Sequence, residues 1–239
     1  MNLYRNNLTI GDIPQLDVGV PSFFPKTGLV AYYKLDESSG NAVDSSGNGK
    51  TLTNNNTTTY ASGKINNGAN FVKTSTQWLS RSYDSDLNIG NNDFTICGWL
   101  NLNATSGLFD IMGMGWDETT ANILYVIRYD FTTNNLIFEW HDGAYKKLSV
   151  PLTASQNTWY FFTARRSGST LYLSVNNGTP TTATPTFKTT SAGTFGIGRG
   201  GGGSSAYMNG LIDEVGIWLR DLTSDERTQL YNNGNGLTY

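Results

Sequence analysis

The stretch Gly210-Leu-Ile-Asp-Glu-Val-Gly-Ile-Trp-Leu-Arg-Asp-Leu-Thr-Ser-Asp-Glu226 constrains the chain most. Ile212, Val215, Ile217 and Leu219 mark a strand, after which a turn leads into a short helix. Thr223-Ser-Asp-Glu226 fits a capping box, in which the Thr hydroxyl and the Glu carboxylate satisfy each other's free backbone N–H groups. The helix is expected to run to about Asn232, with Gly234 beyond its C-cap. Most of the preceding chain reads as the sheets that surround this strand.

Composition agrees with many strands joined by turns. Only 15% of the 239 residues are charged and 27 are Gly, with Thr, Ser, Asn and aromatics abundant. That length suits one large β domain. A net charge of −3 gives no electrostatic reason to bind nucleic acid or an anionic membrane. No segment approaches the roughly 20 apolar residues of a membrane span. Cys97 is the only cysteine, so neither an intrachain disulfide nor a cysteine metal cluster is available; inside the apolar run 94–102 it reads as a buried thiol.

Residues 1–27 carry Pro14, Pro21 and Pro25 among scattered apolar side chains, and read as an extended arm that docks on this domain or on a neighbouring subunit. The N-terminus lacks an apolar core and a small-residue cleavage site, so no secretory signal peptide is expected. Residues 28–239 then read as one sandwich. Gly28–Leu35 is a first strand, followed by the turn-rich loop Asp36–Gly49. Gly63–Phe71 is a strand. Asp93–Asn101 alternates, with Phe94, Ile96 and Gly98 on one face and Thr95, Cys97 and Trp99 on the other. Ile123–Tyr129 and Leu136–Trp140 flank a hairpin loop at 130–135. Thr158–Arg165 and Thr170–Val175 join through Ser167-Gly168-Ser169, and Asn176-Asn-Gly178 turns the chain again. Thr194–Arg199 is a strand and Gly200–Gly203 a loop. With no Lys-Ser/Thr after it, that glycine run is no phosphate cradle.

In this order the elements resemble laminin-G-like domains of the concanavalin-A-like lectin and glucanase superfamily. The signals are the aromatic first strand with its D-S-S-G-N-G loop (Asp44–Gly49), Gly63–Phe71, Asp93–Asn101, the aromatic strand from Trp159, Asn177-Gly178, and the terminal I-D-E-V strand with its capped helix. The resemblance implies an all-β, two-sheet antiparallel jelly roll with one short C-terminal helix. It also implies a structural Ca²⁺ between the first loop and the last strand, held by Asp36, Asp44, Asn48 and Asp213. Calcium takes six to eight oxygens, which Asp- and Asn-rich loops supply. The same residues also serve as plain turn formers that bond their own backbone, and both readings stand.

Glucanases that share this fold place three acids on one strand as E-x-D-x-x-E. None of the five glutamates here (Glu37, Glu118, Glu139, Glu214, Glu226) has that spacing, and Asp213-Glu214 on a regular strand would face opposite sides. Sugar recognition instead uses flat rings that stack on pyranose faces beside amides and acids. Aromatics in or beside polar loops are Trp78, Trp116, Trp140 with His141-Asp142, and Tyr145; Trp99, Tyr172 and Trp218 lie opposite their strands' core residues. The expected function is therefore a non-catalytic recognition or adhesion module for a glycan, displayed on a larger extracellular or virion-surface assembly such as a phage fibre or head decoration. Assembly through residues 1–27 with a protein partner or further copies is expected, with no membrane insertion. The alternatives are a purely structural decoration or cementing protein and, third, a glycoside hydrolase.

Overall fold

A computed structural model of the protein describes residues 23–115, 124–187, 193–201 and 205–239. In chain order the strands are β1 (Leu29–Tyr33), β2 (Thr53–Asn55), β3 (Thr59–Ser62), β4 (Asn67–Phe71), β5 (Trp78–Arg81), β6 (Phe94–Leu102), β7 (Leu108–Met114) and β8 (Tyr125–Asp130). There follow β9 (Asn135–His141), β10 (Tyr145–Pro151), β11 (Trp159–Ser167), β12 (Thr170–Val175), β13 (Thr181–Ala183), β14 (Phe195–Ile197) and β15 (Gly210–Trp218), then the helix α1 (Ser224–Tyr231). They form two antiparallel sheets. One runs β13-β12-β11-β6-β15-β4-β3, with β1 also paired to β15; the other runs β10-β9-β8-β7-β14-β5-β2. This is the jelly-roll sandwich that the sequence implied. No helix of the described residues is long and apolar enough to cross a membrane.

The main core lies between the sheets. Strand alternation puts Phe94, Ile96 and Leu100 of β6 against Tyr125, Ile127 and Phe138 of the opposite sheet, all fully buried. The other side of β6 presents Cys97 and Trp99, as alternation predicts, but this outer face is not open. Tyr32, Trp99, Phe161 and Trp218 are covered by Leu230 and Tyr231 of α1 and by Leu237 and Tyr239 of the C-terminal tail. Phe24, from the end of the expected arm, joins them, with its ring centroid 4.8 Å from that of Tyr32, while Trp218 Nε1–H donates to the Pro25 carbonyl (2.7 Å). That end of the arm docks on this domain; residues 1–22 lie outside the described residues. Complete burial drives the Cys97 thiol pKa well above its usual value, in keeping with an inert core thiol.

The capping box forms as expected: Thr223 Oγ1 accepts from Glu226 N–H and Glu226 Oε2 from Thr223 N–H. The helix ends one residue earlier than Asn232, which takes the left-handed cap position itself (φ 46°).

β15 departs from the sequence reading at Asp213-Glu214. The register against β6 slips between Asp213 and Gly216, and Glu214 adopts φ 49°. This β-bulge leaves Ile212 and Val215 in the core and buries both carboxylates on the other side of the sheet, so they do not fall on opposite faces as a regular strand requires. It also divides the strand between partners: Gly210–Ile212 pair with β4, and Val215–Trp218 with β1.

Candidate functional site

α1 and the tail cover the middle of the first sheet, while the outer face of the second sheet gathers charged side chains that lead to an exposed edge at β9 and β10. Residues opposite each other in an antiparallel pair share a face. Tyr145 of β10 pairs with His141 of β9, and Lys147 with Glu139. Glu139 in turn pairs with Val126 of β8, and Ile137 with Arg128, which faces Asp110 of β7. The intervening residues, Phe138, Trp140, Ile127 and Leu148, point into the core.

Electrostatics tie this face together. Asp110 is fully buried; it accepts from Arg128 Nε (2.9 Å) and from the Gly200 N–H (3.1 Å). A Cβ on Gly200 would come within 2.8 Å of that carboxylate and 2.6 Å of Val126, so only glycine lets the loop lie this close. Arg128 Nη1 reaches Glu139 Oε2 at 3.1 Å, so one guanidinium bridges two acids. Burial raises the Glu139 carboxyl above its usual range, and Arg128 opposes that shift.

At the edge of this charged floor, Glu139, Tyr145, Lys146 and Lys147 line a cavity of about 300 Å³. Tyr145 is 55% exposed, and its ring stands edge-on to His141 with centroids 5.7 Å apart. His141 Nδ1 accepts from the Gly143 N–H (3.1 Å), which leaves its proton on Nε2. The aromatic patch is thus held by the turn between β9 and β10.

The expected ligand residues separate. His141, Asp142 and Tyr145 do come together at this turn, with Asp142 exposed. Trp140, expected beside a loop, is buried: β9 continues to His141, and alternation sends the Trp140 ring into the core against Phe138 and Phe187. His141 is buried as well and serves as a backing ring. Trp78 lies on β5, four strand spacings from β9 (about 19 Å), where Arg199 stacks between it and Tyr207 at 4.8 Å from each ring. Trp116 lies outside the described residues. Trp99 and Trp218 occupy the sealed face, and Tyr172 is stacked under Arg165 at 3.7 Å.

The four residues expected to hold calcium make contacts to the chain itself. Asp44 already accepts backbone N–H groups from Tyr32, Ser46 and Lys50, and Asn48 Nδ2 donates to the carbonyls of Leu29 and Val30. Asp36 and Asp213 instead brace the turn before β4. Asp36 Oδ1 accepts from Asn67 N–H, and Asp213 Oδ2 from Lys64 and Ile65 N–H (2.8 and 2.9 Å). Among the described residues no three His, Cys, Asp or Glu side chains are grouped to hold a metal.

Sequence reasoning passed over Arg128, Asp110, Glu139 and the Lys146-Lys147 pair as site residues. The period-2 run of Leu148 and Val150 after the two lysines was the available signal, because it places 145–151 on a strand against β9.

Several solved structures share this fold. The binding domain of Paraclostridial Mosquitocidal Protein 1 superposes with a TM-score of 0.69 at 17% identity, over 87% of this chain and 53% of that one. Domain 4 of AbnA, an extracellular arabinanase of Geobacillus stearothermophilus, solved in complex with arabinotriose, gives 0.62 at 18%, over 87% and 98%. A structure of botulinum neurotoxin type C, whose cell entry depends on two ganglioside molecules, gives 0.64 at 13%, over 87% and 51%. The chain thus spans about half the length of the two toxin chains and nearly all of the arabinanase domain. No curated protein sequence matches it. The laminin G family model described as the concanavalin A-like lectin/glucanases superfamily matches residues 73–226, well over half of the chain. The protein belongs to this family.

Proposed function

We propose that the protein is a non-catalytic carbohydrate-binding module whose ligand sits at the edge of the second sheet, at the turn between β9 and β10. The observation that carries this reading is Tyr145: a ring 55% exposed, backed by His141, beside a cavity of about 300 Å³ lined by charged side chains. A flat ring next to fixed polar groups is the means by which proteins hold a pyranose, the ring taking the C–H face and the polar groups the hydroxyls. Lys146 and Lys147 add positive charge, which favours a glycan with a carboxylate or sulfate. Asp110 and Glu139, the two acids on this face of the sheet, are both engaged by Arg128, an arrangement suited to scaffolding rather than to proton transfer. The sugar ligands of the arabinanase domain and the type C neurotoxin support the same reading by analogy of fold.

Display on a larger assembly, such as a virion fibre or head decoration, belongs to this proposal; the apolar N-terminal arm supports it. The test is a binding comparison of sialylated, uronic-acid and neutral glycans, with wild type beside Lys146→Ala/Lys147→Ala. Loss of binding to the acidic glycans at an unchanged melting temperature supports the site. Unchanged binding in the double variant removes it.

A further inference from the structure

A second, differently built cavity lies at the other edge of the sandwich. It measures about 500 Å³ and is bordered by Ser38, Ser39, Asn41, Thr57, Thr59 and Tyr60, with no Lys, Arg, Asp or Glu among its described lining residues. It adjoins β2 and β3, whereas Tyr145 opens β10. Because β2 and β10 are the two edges of the second sheet, six strand spacings separate the sites, about 29 Å.

The frame of this cavity is fixed by hydrogen bonds. Asn54 Nδ2 donates to the carbonyls of Gly40 (2.7 Å) and Thr58 (2.8 Å), its Oδ1 accepts from Thr58 N–H (2.7 Å), and its own N–H donates to Asn41 Oδ1 (3.0 Å). The Tyr60 hydroxyl donates to the Gly40 carbonyl (3.0 Å), which fixes the attitude of its half-buried ring. Asn56 and Thr57 are both held left-handed (φ 57° and 58°), and buried Gln77 pins the Thr57 carbonyl at 2.8 Å. A β-branched residue in that region is strained, and the surrounding bonds over-determine it. The side chains of Ser38, Ser39 and Thr57 are exposed, so they add hydroxyls to a frame that is already rigid.

We propose that this cavity binds an uncharged saccharide, with Tyr60 as the stacking ring and the Ser and Thr hydroxyls as hydrogen-bonding partners. The lining has both donors and acceptors and no net charge, which matches a polyol and disfavours phosphate, sulfate or a carboxylate. Preorganisation keeps the ordering cost of binding small. The site does not depend on the Tyr145 reading, and either can fail alone.

The test is an amide-resolved NMR titration of the full chain with free glucose, galactose, mannose, N-acetylglucosamine and arabinotriose at millimolar concentration. Saturable shifts at residues 38–41 and 57–60 with at least one sugar, and none at 139–147, are expected. Ser39→Trp fills the mouth without removing a described hydrogen bond and is expected to weaken binding about tenfold or more at an unchanged melting temperature. Tyr60→Phe keeps the ring and is expected to retain binding, whereas Tyr60→Ala loses it. Absence of shifts at 38–41 and 57–60 with every sugar in folded protein overturns the proposal, as does binding that survives Ser39→Trp.

Discussion

Arg128 Nη1 lies 3.1 Å from Glu139 Oε2 and thereby joins the buried charges on the outer face of the second sheet to the cavity beside Tyr145. The same guanidinium neutralises Asp110, which has no solvent exposure. Removing one partner of a buried pair leaves the other charge stranded, which costs about 3–5 kcal/mol. Arg128→Ala is therefore expected to destabilise the fold by about 3 kcal/mol, read as a lower urea midpoint. Glu139→Gln, at the wetter end of the bridge, should cost less than about 1 kcal/mol. Equal losses for the two would contradict this division of roles.

The bulge predicts an unusual pH dependence. Burial pushes Glu214 up to about 7, and burial together with the Glu214 charge pushes Asp213 up to about 8. Tyr32 donates its hydroxyl to Glu214 beneath the C-terminal tail, and Glu214 Oε1 is buried without a hydrogen-bond partner among the described residues. Both folded-state values exceed those of the unfolded chain, so the folded protein binds more protons. The associated stability is present at acidic pH and falls as pH rises from about 4 through 7 to 8. Glu214→Gln, which keeps the shape and the acceptor for Tyr32, is expected to flatten part of that decline. A urea midpoint that rises between pH 5 and pH 8.5 would contradict the assignment.

Glu226 shows the opposite behaviour. Its ion pair with Arg220, at 2.6 Å, and the capping box hold it down at about 2. Its contribution is present above the ordinary Glu range and lost as pH falls toward 2. Thr223→Ala removes half of the cap, which costs about 1 kcal/mol. Because α1 covers Trp99 and Phe161, the loosened helix is expected to bring a red shift in tryptophan emission well before global unfolding. Coincident emission and circular-dichroism transitions in the variant would show that α1 does not open separately.

Chelation is expected to leave the melting temperature unchanged. Asp44 and Asp213 spend their oxygens on backbone N–H groups, and these bonds brace the first loop and the bulge. A drop of several degrees in excess chelator, restored by Ca²⁺, would contradict this.

The fold was legible where period and punctuation agree: the alternation along β6 and the capping box at Thr223 both appear as read. β7 was not legible. Leu108–Met114 shows no simple alternation because both its faces are covered, one by the core and one by the segment around Gly200 that reaches Asp110. The bulge was hidden because it rests on the left-handed backbone of a non-glycine residue, Glu214, which no local pattern announces. At the site, Tyr145 and Asp142 could be found as aromatic and acid beside a turn, but Trp140 could not be told from them. One residue separates it from His141, and only the end point of β9 decides that it faces inward.

The most direct test of the central claim is a glycan array probed side by side with the wild-type chain and Tyr145→Ala, each checked for melting temperature. Tyr145 is more than half exposed, so its truncation should shift melting little, while loss of the stacking ring is expected to weaken binding about tenfold or more. Binding of acidic glycans by wild type that Tyr145→Ala abolishes at an unchanged melting temperature is the predicted result. No binding of acidic glycans by folded wild type, or equal binding of them by both proteins, would contradict a glycan site at this turn.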